Sequence, residues 1–227
     1  MVSTGDDSSA DPMTGSADCM WGSEAIRLAA GHDLFAVLLD RNGPPPDWRR
    51  PNRLDTLVRL ILEQQVSLAS ANAAFTRLTD RVGDVTPSSI LSSSDDELKR
   101  DGFSRQKIGY VRGIAMALED GSLDLEDLVR RPSMAQERLL ELRGIGPWTV
   151  ACYSVFVLGD PDVWPTGDRA LYVSLSRNLG RSSTMEAREG DAIAARWAPH
   201  RSTAARMLWH DYLGGTAYVP DERAGFL

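Results

Sequence analysis

The chain predicts an all-α fold of about ten short helices, and three observations carry that expectation. Apolar residues return at helical spacing in one segment after another. No run of Val and Ile alternates with polar residues in the period-two manner of a half-buried strand. Glycines, prolines and Ser or Asp caps divide the chain into lengths that suit short helices.

In chain order, MVSTGDDSSADPMTGSAD holds four acids and no base. Polar and poor in apolar residues, residues 1–20 are expected to form a disordered acidic tail. Residues 23–41 predict one helix with Gly31 as a candidate break, and the four prolines of NGPPPDWRRPN (42–52) predict a linker. In 54–65, Leu54, Leu57, Val58, Ile61 and Leu62 share one helical face. Small residues across 67–82 suit a closely packed helix. Residues 86–102 predict two short helices, the second starting near Ser94 and stopped by Gly102.

A longer helix over 104–121 puts Ile108, Val111, Ile114, Ala115 and Leu118 inward and stops at Gly121. Residues 123–132 form a short helix ended before Pro132. Residues 133–144 start at a Ser133 cap and end at Gly144. The segments 147–159, 167–180, 184–199 and 202–215 complete the helical set.

Composition narrows the function classes. A chain of 227 residues with 42% hydrophobic content builds one compact domain or two small lobes. Cys19 and Cys152 form neither a disulfide framework nor a metal-ligand spacing, so a reducing cytosol is expected. The longest uncharged apolar run, WTVACYSVFVL (148–158), is too short to span a bilayer. With no signal-peptide pattern, a cytoplasmic location and no membrane partner are expected, at the nucleoid if the source is bacterial. Net charge is −7, of which the tail leaves −3 for the remainder. That balance speaks against a broad nucleic-acid-binding face and leaves room for a local one.

The stretch LLELRGIGPWT (139–149) joins two helices through a tight hairpin. Gly144 is expected to take a left-handed conformation, and Gly146 to let the backbone turn sharply. Pro147 fits the first position of the next helix. Amides near Gly144, Ile145, Gly146 and Thr149 would then face outward at a positive helix terminus, a nest suited to phosphate. From these residues alone, an ordinary helical corner stands equally beside that reading.

Downstream, Asp168 follows Pro165 and Gly167 where a helix should begin, as an N-cap for the amide of Ala170 or Leu171. A carboxylate held there by the helix dipole can stabilise a sugar cation or act on the water attacking it.

At this point a resemblance emerges. LRGIGPWTVACYSVFVLGDPDVWPTGD resembles the hairpin, Gly/Pro-rich loop and aspartate of the HhH-GPD DNA glycosylases, and is most similar to the 3-methyladenine DNA glycosylase II branch. LVRLILEQQVSLASANAAFTRL (57–78), GFSRQKIGYVRGIAMALEDGSLDLEDL (102–128) and WAPHRSTAARMLWHDYLGG (197–215) resemble further segments of that branch, so the likeness covers most of 50–215.

The resemblance implies a two-lobed fold with its cleft between lobes. Residues 50–130 would form a central helical bundle. Residues 21–49 plus 131–227 would form a discontinuous lobe carrying the hairpin and catalytic Asp168. Trp148 matches the position that is lysine in the glycosylase/lyases. Base release without strand cleavage is therefore implied, since tryptophan cannot form a Schiff base. Trp148 would instead stack on a cationic alkylated purine.

Trp209, Tyr153 and Cys152 are implied as further pocket residues, and Gln65 with Val66 as the wedge entering the duplex gap. Arg201 and Ser202 match tail positions, where Arg201 would pair with a carboxylate. Carbonyls of Leu140, Leu142 and Ile145 are candidate ligands for a structural Na+ or K+. No cofactor is required, and no iron–sulfur loop is present. The implied partner is double-stranded DNA containing 3-methyladenine or 7-methylguanine, and a monomer is expected. Deaminated or oxidised bases, or a noncatalytic helix-hairpin-helix DNA-binding module, are the competing readings.

Overall fold

The computed structural model describes residues 18–215. Among them thirteen α-helices follow one another with no strand. The predicted acidic tail lies outside the described residues up to residue 17, but its last three residues, 18–20, already belong to α1 (Asp18–Gly31). Residues 21–41 hold two helices, not one. After Gly31 the chain extends at His32 (φ −148°, ψ 112°), and α2 runs Asp33–Asn42.

The next five helices pack as one bundle: α3 (Leu54–Glu63), α4 (Leu68–Val82), α5 (Pro87–Ser92), α6 (Asp95–Asp101) and α7 (Arg105–Glu119). The apolar face read for α3 is buried in full, and Leu60 joins it because α4, α7 and later α10 enclose this helix. Thr86 and Ser94 form capping boxes with Ser89 and Glu97, satisfying amides that a helix start leaves unpaired. Gly102 ends α6 in the left-handed region, as its position in the sequence implied.

α8 (Leu125–Arg130) packs on α9 (Pro132–Leu140), which in turn meets α10 (Pro147–Tyr153). The cap of α9 is Arg131, not Ser133: Pro132 occupies the first helical turn, where its missing N–H costs nothing. α9 also stops at Leu140, so a turn separates it from Gly144. α10 widens into a π-helical turn, Ser154–Leu158, closed by left-handed Gly159. The Pro-rich linker is fastened to that turn through Arg50 N–H to Phe156 O at 2.8 Å.

α11 (Arg169–Asn178), α12 (Ala187–Ala194) and α13 (Arg201–Leu213) complete the chain, and α1 and α2 close against α13. Asp211 of α13 is the polar hub of that contact. It accepts from Asn42 (3.1 Å) and Arg41 of α2, and from Ser174 (2.6 Å), Arg177 and Asn178 (2.9 Å) of α11. Burial opposes its charge, but these donors outweigh burial and hold the carboxyl at about 2. Among the described residues no helix is long and apolar enough to cross a membrane.

Candidate active site

The hairpin is built by two short-range bonds. Leu142 N–H donates to Leu139 O and Ile145 N–H to Leu142 O, each at 3.1 Å. The amide of Ile145 is thereby engaged within the turn, and its side chain is buried as the pin of the corner. Gly144 has φ +92°, and a side chain there would overlap the ring of Tyr110 on α7. Gly146 differs from expectation. It is extended (φ −104°, ψ 176°), a conformation open to any residue, and a methyl on it would meet no atom within 4 Å. The fold therefore needs Gly144 and does not need Gly146.

Asp168 caps α11, accepting from Leu171 N–H at 3.1 Å through one oxygen. Its other oxygen accepts from the indole N–H of Trp148 at 2.8 Å. The two residues singled out twenty positions apart are thus one hydrogen-bonded unit. A brace holds the loop before Asp168. Gly167 N–H donates to the Tyr172 hydroxyl (2.7 Å), which donates to Asp191 (2.7 Å), and Trp164 donates to the same carboxylate (2.9 Å). Burial first and then Asp191 push the Tyr172 phenol up to about 12, so it stays a neutral donor. Arg201 pairs with Asp162 at 2.7 Å, and Ser202 accepts from Val163 N–H at 2.9 Å, fixing the loop's earlier part.

Asp168 and Trp148 line a cleft of about 1450 Å³. One wall is the end of α3 and start of α4, with the beginning of α7; the other is the hairpin and the Asp168 loop. The turn between α3 and α4 projects Gln65 and Val66 to solvent, and Gln65 is left-handed (φ +59°), a conformation uncommon outside glycine. That turn is pinned at its α3 end. Lys107 donates to the carbonyls of Leu62 (2.7 Å) and Gln64 (2.9 Å). Gln64 reaches across the cleft to Gly144 O (2.9 Å) and the buried hydroxyl of Thr149 (3.0 Å). Burial lowers the Lys107 pKa, while Glu63 acts against that shift.

Two expected pocket residues, Tyr153 and Cys152, sit elsewhere than the resemblance implied. Tyr153 is fully buried away from the cleft lining and donates to Asn52 Oδ1 at 2.5 Å. Cys152 is likewise enclosed. Burial and the charges of Asp168 and Glu63 push its thiol well up, so it is neutral and inert. Both face inward because α10 is surrounded by α9, α3 and the π turn. Trp209 borders the cleft but is 1% exposed, and it packs on Phe156 with ring centroids 5.3 Å apart. It belongs to the floor rather than to an open stacking face.

Gln64, Lys107, Tyr110 and Glu63 complete the cleft, and none was assigned a role from sequence. Gln64 and Lys107 lie inside the quoted segments EQQVS and GFSRQK, but their partners are carbonyls brought close only by folding. The carbonyls of Leu140, Leu142 and Ile145 are neutral oxygen donors, a type that suits a monovalent rather than a divalent ion. Leu142 O already accepts from Ile145 and offers its second lone pair.

The model of the HhH-GPD superfamily base excision DNA repair proteins matches residues 58–199. An alkylbase DNA glycosidase-like protein of Schizosaccharomyces pombe is 27% identical over 80% of this chain and 89% of its own length. A DNA-3-methyladenine glycosylase of the same yeast is 31% identical over 70% and 75%. Two other curated relatives are longer, and the chain spans 56% and 38% of them. Among solved structures, the S. pombe 3-methyladenine DNA glycosylase in complex with abasic DNA superposes with TM-score 0.69 at 25% identity, covering 83% of this chain and 95% of that one.

Proposed function

Because the chain belongs to the HhH-GPD superfamily of base excision DNA repair proteins, we propose that it hydrolyses the N-glycosidic bond of alkylated purines in double-stranded DNA and leaves an abasic site. The observation that carries this reading is the Trp148–Asp168 pair at 2.8 Å in the wall of the cleft. Two donors from different elements orient the Asp168 carboxylate before any substrate arrives. An oriented, largely buried carboxylate stabilises the positive charge that develops on the sugar as the C1′–N bond breaks. Water then bonds to C1′ and gives its proton to Asp168.

The damaged nucleotide rotates out of the duplex into the cleft. Gln65 and Val66, on their exposed turn, occupy the gap it leaves; the left-handed Gln65 supports this role because strained backbone clusters at functional sites. The outward amides of the hairpin around Gly144, Gly146 and Thr149 hold the backbone phosphates. Na+ or K+ on the carbonyls of Leu140, Leu142 and Ile145 would add positive charge beside that phosphate, and no chemical step depends on it. Trp148, which the resemblance matches to the lyase lysine, cannot form a Schiff base, so base release without strand cleavage is expected.

Chromatography of bases released from alkylated DNA tests the reading, wild type beside Asp168→Asn. Release of 3-methyladenine and 7-methylguanine is expected to fall about 100-fold or more in the variant, with affinity for abasic DNA largely kept. Unaltered release by Asp168→Asn would overturn the assignment. Borohydride reduction during turnover is expected to trap no protein–DNA crosslink.

A further inference from the structure

One side chain joins the exposed turn after α3 to the hairpin, two parts of the cleft with different tasks in the reading above. Gln64 caps the end of α3, and its carboxamide nitrogen donates to Gly144 O at 2.9 Å and to the buried Thr149 hydroxyl at 3.0 Å. Each of its two N–H groups thus has an acceptor on the hairpin. The backbone carbonyl of Gln64 accepts from Lys107 of α7 at 2.9 Å, and the same ammonium holds Leu62 O at 2.7 Å. One turn further along α7, the Tyr110 ring lies so close to Gly144 that a side chain there would overlap it. The end of α3, the start of α7 and the hairpin therefore close a ring around Gly144. Gln65, directly after Gln64, is exposed and left-handed at φ +59°, and Val66 beside it is 47% exposed. Since α3 and α10 already meet through the core, the Gln64 bonds are not what joins them. What those bonds fix is where the turn beyond α3 stands relative to the hairpin.

We propose that Gln64 is a positioning residue for base extrusion: it holds the Gln65–Val66 turn at a fixed offset from the hairpin, so that gripping the phosphate and filling the gap occur together. The inference rests on the glycosylase reading above, its wedge included. Rotating a paired nucleotide out of the duplex costs unpairing and unstacking. A wedge offsets that cost only when it enters the stack at the nucleotide whose flanking phosphate the hairpin holds. Without the Gln64 bonds the turn drifts relative to the hairpin, and the extruded state is less populated. The Asp168 carboxylate keeps its own donors, Trp148 and Leu171, so the bond-breaking step is left as it was. A lesion that is already unpaired needs the wedge less and depends less on Gln64.

Single-turnover release of 7-methylguanine at saturating protein tests this on an ordinary duplex and on the same duplex with the lesion inside a short mismatched bubble. In Gln64→Ala, release from the duplex is expected to slow about 10- to 100-fold, as the loss of two neutral hydrogen bonds implies. Release from the bubble is expected to slow by less than about threefold. Gln64→Glu keeps the reach of the side chain but sets a carboxylate oxygen against Gly144 O, so the same split is expected; it decides the matter should Gln64→Ala fail to fold. An equal loss on both DNAs, the mark of a merely structural tie, or no loss on the duplex would overturn the role of Gln64 and leave the glycosylase reading standing. Full duplex activity in a Gln65→Ala, Val66→Ala double variant would remove the wedge and the role of Gln64 with it. Wild-type protein that releases base from neither DNA would sink the glycosylase reading itself.

Discussion

Replacing Gly144 and, separately, Gly146 by alanine is expected to damage the hairpin in two different ways. At Gly144 the backbone sits at φ +92°, where a Cβ costs about 1–2 kcal/mol. The same Cβ would stand 2.6 Å from Tyr110 Cδ1 and nearer still to Cγ and Cδ2. Forcing that ring aside costs about 1–3 kcal/mol more, so the fold loses about 2–5 kcal/mol in all, a fall in Tm on the order of 5–15 °C for a chain of this size. At Gly146 the backbone is extended and the space open, so Gly146→Ala should move stability by no more than about 0.5 kcal/mol. Its methyl would instead stand where a phosphate approaches, and losing one charge-assisted hydrogen bond weakens abasic-DNA binding by about 10- to 100-fold. Thermal melts and fluorescence anisotropy on the two variants read these separately. In Tyr110→Ala, the steric share of the Gly144→Ala penalty should vanish and the conformational share remain. A Gly146→Ala protein that binds abasic DNA as tightly as wild type would refute the placement of DNA against the hairpin.

Three further outcomes follow from the same geometry. Trp148→Phe keeps a ring in the cleft but removes the donor to Asp168, a charge-assisted bond of about 1.5–3 kcal/mol, so single-turnover release should slow about 10- to 100-fold with the Tm little changed; an unchanged rate would show that the bond is only structural. Gln64→Ala removes both bonds from the α3–α4 turn to the hairpin, and amide hydrogen exchange around 144–149 should accelerate while the core of α3 stays protected. Asp211 has a folded pKa of about 2, below its unfolded value, so its contribution is complete above about pH 4 and disappears as pH falls toward 2. Denaturant unfolding should find Asp211→Asn less stable at pH 7 by on the order of 1–2 kcal/mol, allowing for solvent around the half-exposed Arg41 and Arg177, and the gap should narrow at pH 3.

How much of this was legible in the chain depended on whether the cause was local. Ser94 and Gly102 bound α6 because caps act within a turn of themselves, and Asp168 accepts from Leu171 for the same reason. Gly31 marked the break between α1 and α2, although nothing local says that the chain resumes as a second helix at Asp33. Tyr153 and Cys152 were misplaced although a signal was available. WTVACYSVFVL is apolar on every side, the pattern of a helix enclosed by others, and such a helix offers a cleft only its first turn. Trp148 occupies that first turn and the other two do not. Gln64, Lys107 and Glu63 had no such signal, because each acts on a group 43 or more positions away or through the buried Arg50.

The net charge of −7, which first spoke against DNA, is reconciled by where the cations are engaged. Among the described residues lining the cleft, the basic side chains are Lys107 and Arg169. Lys107 is tied to two carbonyls at the end of α3, so it shapes the α3–α4 turn instead of reaching outward. Arg50, Arg177 and Arg201 are held by Glu63, Asp211 and Asp162. On the proposed reading, attraction for DNA within the cleft falls on exposed Arg169 and on the backbone of the hairpin, where amides supply positive potential without adding to net charge. A backbone site of this kind requires close approach. Open space at Gly146, which no contact within the protein explains, is what that approach demands.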